Sequence, residues 1–303
     1  MKTGAGRTWE RVLKKESVFR EIWLSLHGYL MDRTRITVLD FSGIFARERR
    51  YFPAELEGRI RWDILDFRTL DGTMCFCADE SVREIRRRLR TEFQAASASG
   101  RPGRLRGVCV AEMPEGIHWI DTGDYHYLTY FFLEGIPEPF TLVLLDYHPD
   151  DQPSVFGRDV LSCGGWVLTA MERLPLLSRI VSTGPGGAVT VREKTAGEWR
   201  VVRQAGMESA TEVLRETIAR GDPVYLSIDK DVLSKDFART DWSQGEMGLP
   251  EMLQLLEVLA PGKVLGADLC GGLSEAKGAE AADFEINANT DSILINKLLD
   301  IVN

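Results

Sequence analysis

The sequence predicts an α/β protein of three layers, α/β/α, around a mostly parallel, doubly wound sheet. Three observations lead there: short apolar runs alternate with helical periods, 44% of the 303 residues are hydrophobic, and a carboxylate follows each apolar run. A chain of this length and composition buries a large core, which leaves no room for a disordered reading.

Taken in order, the apolar runs are Ile36–Leu39, Ile117–Ile120, Thr141–Leu145, Val224–Ile228 and Val264–Ala267. They lack the strict polar alternation of a half-exposed strand, as expected of parallel strands covered on both faces. Helical periods lie between them. In DESVREIRRRLRTEF, Val82, Ile85, Leu89 and Phe93 step by three and four, so one stripe faces the core and the arginines form a solvated face. The segment Ala210–Arg220 repeats this with Ala210, Val213, Leu214 and Ile218, and Gly221 follows where a C-terminal cap belongs. Pro250 begins a further helix and Ile293–Val302 closes the chain. Strand, helix, strand in this order implies right-handed crossovers. Two stretches rich in Gly, Pro and Ser, residues 95–107 and 182–188, read as loops within a single domain spanning 1–303.

Composition bounds the partners. With 46 acidic against 37 basic residues the net charge is −9, which opposes binding to a phosphate backbone, so no nucleic-acid partner is expected. No apolar run approaches the roughly 18 residues of a membrane span, and the polar start lacks the apolar core of a secretory signal. A cytoplasmic protein without a membrane partner is the expectation. Five cysteines without a CxxC pair do not form a disulfide framework; Cys75 and Cys77 alternate in TMCFCA as two small apolar side chains on one face of a strand.

The runs are followed by Asp40, Asp121, Asp146, Asp229 and Asp268, one carboxylate per strand end. Ligands of open α/β sheets bind outside the carboxyl ends of the strands, so an acidic rim there is a place for a cation. In LVLLDYHPDD the alternate positions Asp146, His148 and Asp150 project three donors from one side of an extended backbone. Carboxylate oxygens with one imidazole suit Mn²⁺ or Fe²⁺, and Zn²⁺ less. In VYLSIDKDVLSKDF, Asp229 and Asp231 alternate again, and two such close carboxylates repel unless a cation or shared proton intervenes. The bland alternative there is a solvated acidic turn beside Lys230 and Lys235. In WIDTGDYHY, His126 lies beyond a strand end at the start of a helix, where capping or packing is the alternative to ligation.

These three pieces together resemble the arginase/agmatinase (ureohydrolase) superfamily, whose motifs are GGDH, DAHxD and SxDxDxxDP. The matching stretches are TGDYH, DYHPD and SIDKDVLSKD, and the resemblance continues through DFARTDWSQGEMGLP and GADLCGG, covering roughly residues 117–272. It implies the fold shared by arginases and deacetylases, and a centre of two divalent metal ions, foremost Mn²⁺. Carried over residue by residue, His126, Asp146, Asp150 and Asp229 or Asp231 surround one ion, with His148 and the remaining carboxylates around the other. Two ions about 3.5 Å apart would hold a bridging water as hydroxide, with Asp150 orienting it. Trimers or hexamers are common among such relatives, so a homo-oligomer is expected.

The departures bear on the substrate. Guanidino-cleaving relatives place a Glu three residues after the Asp of the last strand motif; here that position, after Asp268, is Gly271. Their proton-shuttling His aligns with Cys163, and the chain's four histidines, His27, His118, His126 and His148, include no close substitute. Cys163 reads either as a thiol at the mouth of the site, acting as proton donor or nucleophile, or as a small buried residue before a Gly-Gly turn. Lys230 stands between two donors, and the usual Asp-Pro is displaced by Ser234-Lys235 and Asp236-Phe237. Ser243 falls near a family hydroxyl that touches substrate, and Glu246 in the same loop is a candidate displaced carboxylate.

The expectation is therefore a dinuclear Mn-type hydrolase acting on a C–N bond, amidine, guanidine or amide, of a small polar substrate other than arginine. The alternative is a metal-binding protein of this fold that has lost hydrolysis and serves a binding or regulatory role. A deacetylase-like chemistry is disfavoured because the chain lacks an adjacent pair of histidines.

Overall fold

A computed structural model describes residues 34–98, 116–155, 157, 159–184 and 188–302, with backbone alone for residues 93–98. His27, Cys109, the side chain of Phe93, residues 99–107 of the loop expected at 95–107 and residues 185–187 of that expected at 182–188 lie outside what is described.

The chain runs through β1 (Thr34–Asp40), short helices α1 (Ile44–Glu48) and α2 (Ala54–Arg59), β2 (Ile60–Asp66), β3 (Phe76–Cys77) and α3 (Asp79–Ala98). Then come β4 (Gly116–Ile120), a 3₁₀ turn (Gly123–Leu128), α4 (Thr129–Leu133), β5 (Phe140–Leu145), β6 (Leu161–Ser162), α5 (Trp166–Arg173) and β7 (Leu177–Thr183). The hairpin β8 (Val189–Thr195) and β9 (Glu198–Ala205), α6 (Ala210–Ala219), β10 (Val224–Asp229), α7 (Leu249–Leu259), β11 (Val264–Cys270) and α8 (Ala281–Ile301) complete it.

Nine strands form one sheet in the order β2-β1-β4-β11-β10-β5-β7-β8-β9. Neighbours from β2 to β7 are parallel, and the β7–β8 and β8–β9 pairs are antiparallel, so β8 alone runs against the sheet. Alternation along each strand splits the core in two. Ile36, Val38, Val143, Leu145, Leu226 and Ile228 pack with the helices α1, α6, α7 and α8. Leu39, Leu142, Leu144 and Tyr225 pack on the opposite face with α3, α4 and α5. That is the three-layer, mostly parallel arrangement the alternation of runs and helical periods predicts.

Local details follow the sequence signals. Gly221 adopts φ 76° just past α6, the left-handed cap its position called for, and α7 begins with Pro250 in its first turn. Ile85 and Leu89 of α3 are buried. No helix among the described residues is long and apolar enough to cross a membrane.

Six expectations need correction: residues 95–98 of the first expected loop extend α3, residues 182–183 of the second close β7, and four more concern later elements and the cysteines. The last helix starts at Ala281 rather than Ile293, because its first half buries Asn287, Thr290, Asp291 and Ser292, polar residues that interrupt an apolar stripe. β11 continues to Cys270, so Asp268 lies within a strand and not after it. Cys75 stands at φ 60°, before the two-residue β3, so it does not alternate with Cys77 along one strand face. Asp146, His148 and Asp150 do not share an extended segment, since β5 ends at Leu145 and Asp150 adopts φ 47°.

Candidate metal centre

β5 and β10 are hydrogen-bonded neighbours, so Asp146, just past one, and Asp229, closing the other, emerge side by side at their carboxyl ends. Beyond β5 the chain turns: the His148 amide donates to Asp146 Oδ1 at 2.6 Å, and the left-handed Asp150 redirects its side chain toward the same point. Asp229 Oδ1 accepts from the Asp231 amide at 2.9 Å, which starts a 3₁₀ turn and swings Asp231 around. His126 arrives from the turn after β4.

These six side chains meet. His126 Nδ1 lies 3.2 Å from Asp146 Oδ2, 3.1 Å from Asp150 Oδ2 and 3.5 Å from Asp229 Oδ2. His148 Nδ1 lies 2.7 Å from Asp231 Oδ2 and 3.9 Å from Asp146 Oδ1. Two overlapping groups result, His126–Asp146–Asp229 and Asp146–His148–Asp231, with the donor atoms of each within 4.8 Å of one another. Asp146 belongs to both through different oxygens. Asp229 thus groups with His126, and Asp231 with His148.

Burial and mutual crowding set the electrostatics of the donors. Burial, then the charge of Asp150, lifts Asp146 to about 7. Burial, then Asp231, lifts Asp229 to about 6, and burial, then Asp146, lifts Asp231 to about 7. Burial also raises Asp150. Burial opposes a charged His126, but the carboxylates of Asp146, Asp150 and Asp229 crowded around its ring together outweigh it and hold its pKa well above the ordinary value. The Asp231 hydrogen bond raises His148 to about 9 against its own burial. Asp146 Oδ2 is fully buried yet, despite its approach to His126, makes no hydrogen bond of acceptable geometry among the described residues. An orphaned carboxylate oxygen amid hard oxygen donors and two imidazoles fits divalent ions of the Mn²⁺ or Fe²⁺ kind.

Side chains the sequence did not single out hold the donors in place. His126 Nε2 sits 3.0 Å from Ser227 Oγ, which donates to Asp268 Oδ1 at 2.7 Å, so the ring is fixed from behind with Nδ1 facing the carboxylates. Trp166 Nε1 donates to Asp150 Oδ2 at 2.7 Å. The serine is legible as the first letter of the SxDxD motif; the tryptophan carries no sequence signal. Of the other strand-end acids, Asp40 accepts from the Gly43 amide, and Asp121 accepts from the amides of Phe41 and Ser42 and the Ser42 hydroxyl. Those two tie loops, and the acidic rim is only partly a donor set.

Lys230 overturns the solvated-turn alternative. It is fully buried, with Nζ 2.7 Å from Asp291 Oδ1 on α8. Trp119 Nε1 donates to Asp291 Oδ2 at 3.0 Å, and Glu48, lifted to about 8 by burial, completes the network with Asn287 donating to its Oε1 at 3.0 Å.

The remaining candidates divide. Cys163 lines the cavity against the donors and is buried before Gly164 and Gly165. Burial pushes the pKa of its thiol upward. Gly271, at φ 91°, lies against Asp229. Ser243 and Glu246 are exposed and do not line the cavity; Trp242 from the same loop does.

The sequence model of the Arginase family matches residues 116–271, just over half of the chain and the stretch that carries every donor. The chain belongs to the Arginase family. A Thermotoga maritima protein described as uncharacterized is 29% identical over 239 residues, covering 78% of this chain and 79% of its own. Among solved structures, the proclavaminate amidino hydrolase of Streptomyces clavuligerus superposes with a TM-score of 0.57 at 14% identity, covering 89% of this chain and 93% of that one. The Trypanosoma cruzi formiminoglutamase with Mn²⁺ gives a TM-score of 0.54 at 10% identity, over 88% of this chain and 93% of that one. At such identities the structural likeness speaks for the arginase-like fold alone.

Proposed function

We propose that this family member is a dinuclear-metal hydrolase that cleaves a C–N bond, of amidine, guanidine or amide type, in a small polar substrate other than arginine. One observation carries the reading: six donors converge on a cavity of about 140 Å³ in which Asp146 serves two donor groups at once. Manganese is the proposed metal, given donors that are mostly carboxylate oxygens. Two such ions, when bound, supply a water of lowered pKa and a Lewis acid for the bond under attack.

The chain's own residues do the rest. His126 is locked by Ser227 so that Nδ1 points into the donor set. Asp150, oriented by the Trp166 indole, is the carboxylate proposed to orient the water and hold its proton. Cys163 is the proposed proton donor, keeping its proton at neutral pH because burial disfavours the thiolate. Ser243 and Glu246 are left as candidates for whatever part of the substrate extends outside the cavity. A cytoplasmic homo-oligomer, trimer or hexamer, is the proposed form in the cell.

The test is turnover by protein loaded with Mn²⁺, using guanidino, formimino and acylated amines and following release of urea, ammonia or carboxylate. Metal-dependent turnover of any member supports the reading. Full metal occupancy without turnover of any would instead favour the second reading, a metal-binding protein that has lost hydrolysis, whose motive is Gly271 and Cys163 standing where relatives have Glu and His.

A further inference from the structure

The residues around the donors speak to the charge of what enters. Among the described residues, the cavity is lined apart from the six donors by Gly123, Pro149, Gln152, Cys163, Gly164 and Trp242, none of them charged. Every carboxylate on its wall therefore belongs to the donor set. Neighbouring acids are engaged elsewhere: Asp151 pairs with Arg192 at 2.6 Å, and Asp124 accepts from Trp242 Nε1 at 2.9 Å and from the Cys75 thiol at 3.2 Å.

Nor can the backbone readmit an acid at Gly271. A Cβ on Gly271 would stand 2.2 Å from Asp229 Oδ1 and 2.9 Å from the Lys230 amide nitrogen, at a φ of 91° that side chains rarely adopt. Any side chain there displaces a donor carboxylate. The absence of an acid at this point follows from the path of the chain, not from one replaceable side chain.

A guanidinium or amidinium entering such a cavity would lose water without gaining a counter-ion, since the charge of the donor carboxylates is answered by the ions they hold. The π face of Trp242 remains as an attraction for a cation, a weaker hold than a desolvated carboxylate gives. An uncharged, polar head meets no such penalty, and Gln152 at the wall can exchange hydrogen bonds with one.

We propose that the reacting head is uncharged, the carboxamide of an N-acylated amine, and not a guanidinium or amidinium. This rests on the hydrolase reading for there being a reacting head at all. The reaction it implies is balanced with water alone: water oxygen bonds to the acyl carbon, the C–N bond breaks, and the departing nitrogen takes both of the water's protons, leaving a carboxylate and an ammonium.

The test uses full-length Mn²⁺-loaded protein and amines on several chains, each prepared both as the acetamide and as the guanidinium, N-acetylputrescine and agmatine among them. Calorimetric binding is read beside turnover. Acetamides are expected to bind at least about tenfold tighter than their guanidinium twins, and Gln152→Glu, which adds a carboxylate to the wall, is expected to move that ratio about tenfold toward the cations. Equal or tighter guanidinium binding, urea release, binding of neither series, or a ratio unmoved by Gln152→Glu would each overturn the inference. Preferential acetamide binding without turnover would leave it standing while removing the hydrolase reading, so the two failures are distinguishable.

Discussion

Two clusters of buried charge share the turn Asp229–Lys230–Asp231. On one side, four carboxylates crowd two imidazoles, and Asp146, Asp229 and Asp231 are lifted to between about 6 and about 7 mainly by burial. On the other, Glu48 and Asp291 flank the ammonium of Lys230, with Asn287 and Trp119 donating to them. The second cluster carries its own cation and joins the turn to α8 and α1. The first sets its carboxylates against two imidazoles, with no lysine or arginine among the described residues that line it. Where charge is structural the chain supplies an ammonium; at the proposed metal centre the carboxylates face only imidazoles.

The contrast can be broken most forcefully at Lys230. Lys230→Met strands two buried acids and is expected to destabilise the fold by about 3–5 kcal/mol in chemical denaturation, with Lys230→Met/Asp291→Asn recovering much of it. A smaller loss would mean that the ammonium is not what balances Asp291. Next comes the support of the donors: Ser227→Ala frees His126 Nε2 and should weaken metal binding about 10–100-fold by titration calorimetry with little change in stability of the metal-free chain.

The donor cluster should respond in the opposite sense to Lys230. Removing one of its charges, Asp146→Asn, is expected to stabilise metal-free protein by roughly 1 kcal/mol at neutral pH, where the wild type keeps its carboxylates close together. The pH dependence has the same origin. Asp146, Asp229 and Asp231 titrate above the ordinary carboxylate value of 3.8 in the folded chain, and His148 near 9 against 6.5, so the folded state holds the extra protons. Their contribution is full below the unfolded values and is lost as pH rises through the folded ones. Metal-free protein should therefore lose thermal stability from about pH 5 to about pH 8, while added Mn²⁺, which competes with those protons, should raise the melting temperature more at each step. A flat metal-free profile would contradict the crowding. The smallest effect expected is at Ser243→Ala, an exposed position outside the cavity, which should alter stability by no more than about 0.5 kcal/mol and leave metal affinity unchanged.

The sequence reveals the donor side of this contrast far better than the structural side. Asp146, His148, Asp150, Asp229 and Asp231 announce themselves because each follows an apolar run that can only be a strand, although the turn at Asp150, not alternation, is what brings the second half of DYHPD inward. The network of Lys230 is illegible by the same logic: Glu48, Asn287 and Asp291 are distant in sequence, and burying them inside helices erases the apolar stripe by which a helix is read. The β8–β9 hairpin was within reach. Alternation on both sides of Ala196-Gly197, at φ 53° and 84°, is the pattern of a two-residue turn between antiparallel strands. Gly271 was found by its spacing from Asp268, but only the backbone path shows that Asp229 excludes a side chain there.

The central claim is that Asp146 joins two metal positions. Metal content after equilibrium dialysis against Mn²⁺ tests it most directly: wild-type protein should hold two ions per chain, one for each donor group, and Asp146→Asn, expected to remain folded, should hold close to none. Fewer than one ion in the wild type, or undiminished binding by Asp146→Asn, would contradict it.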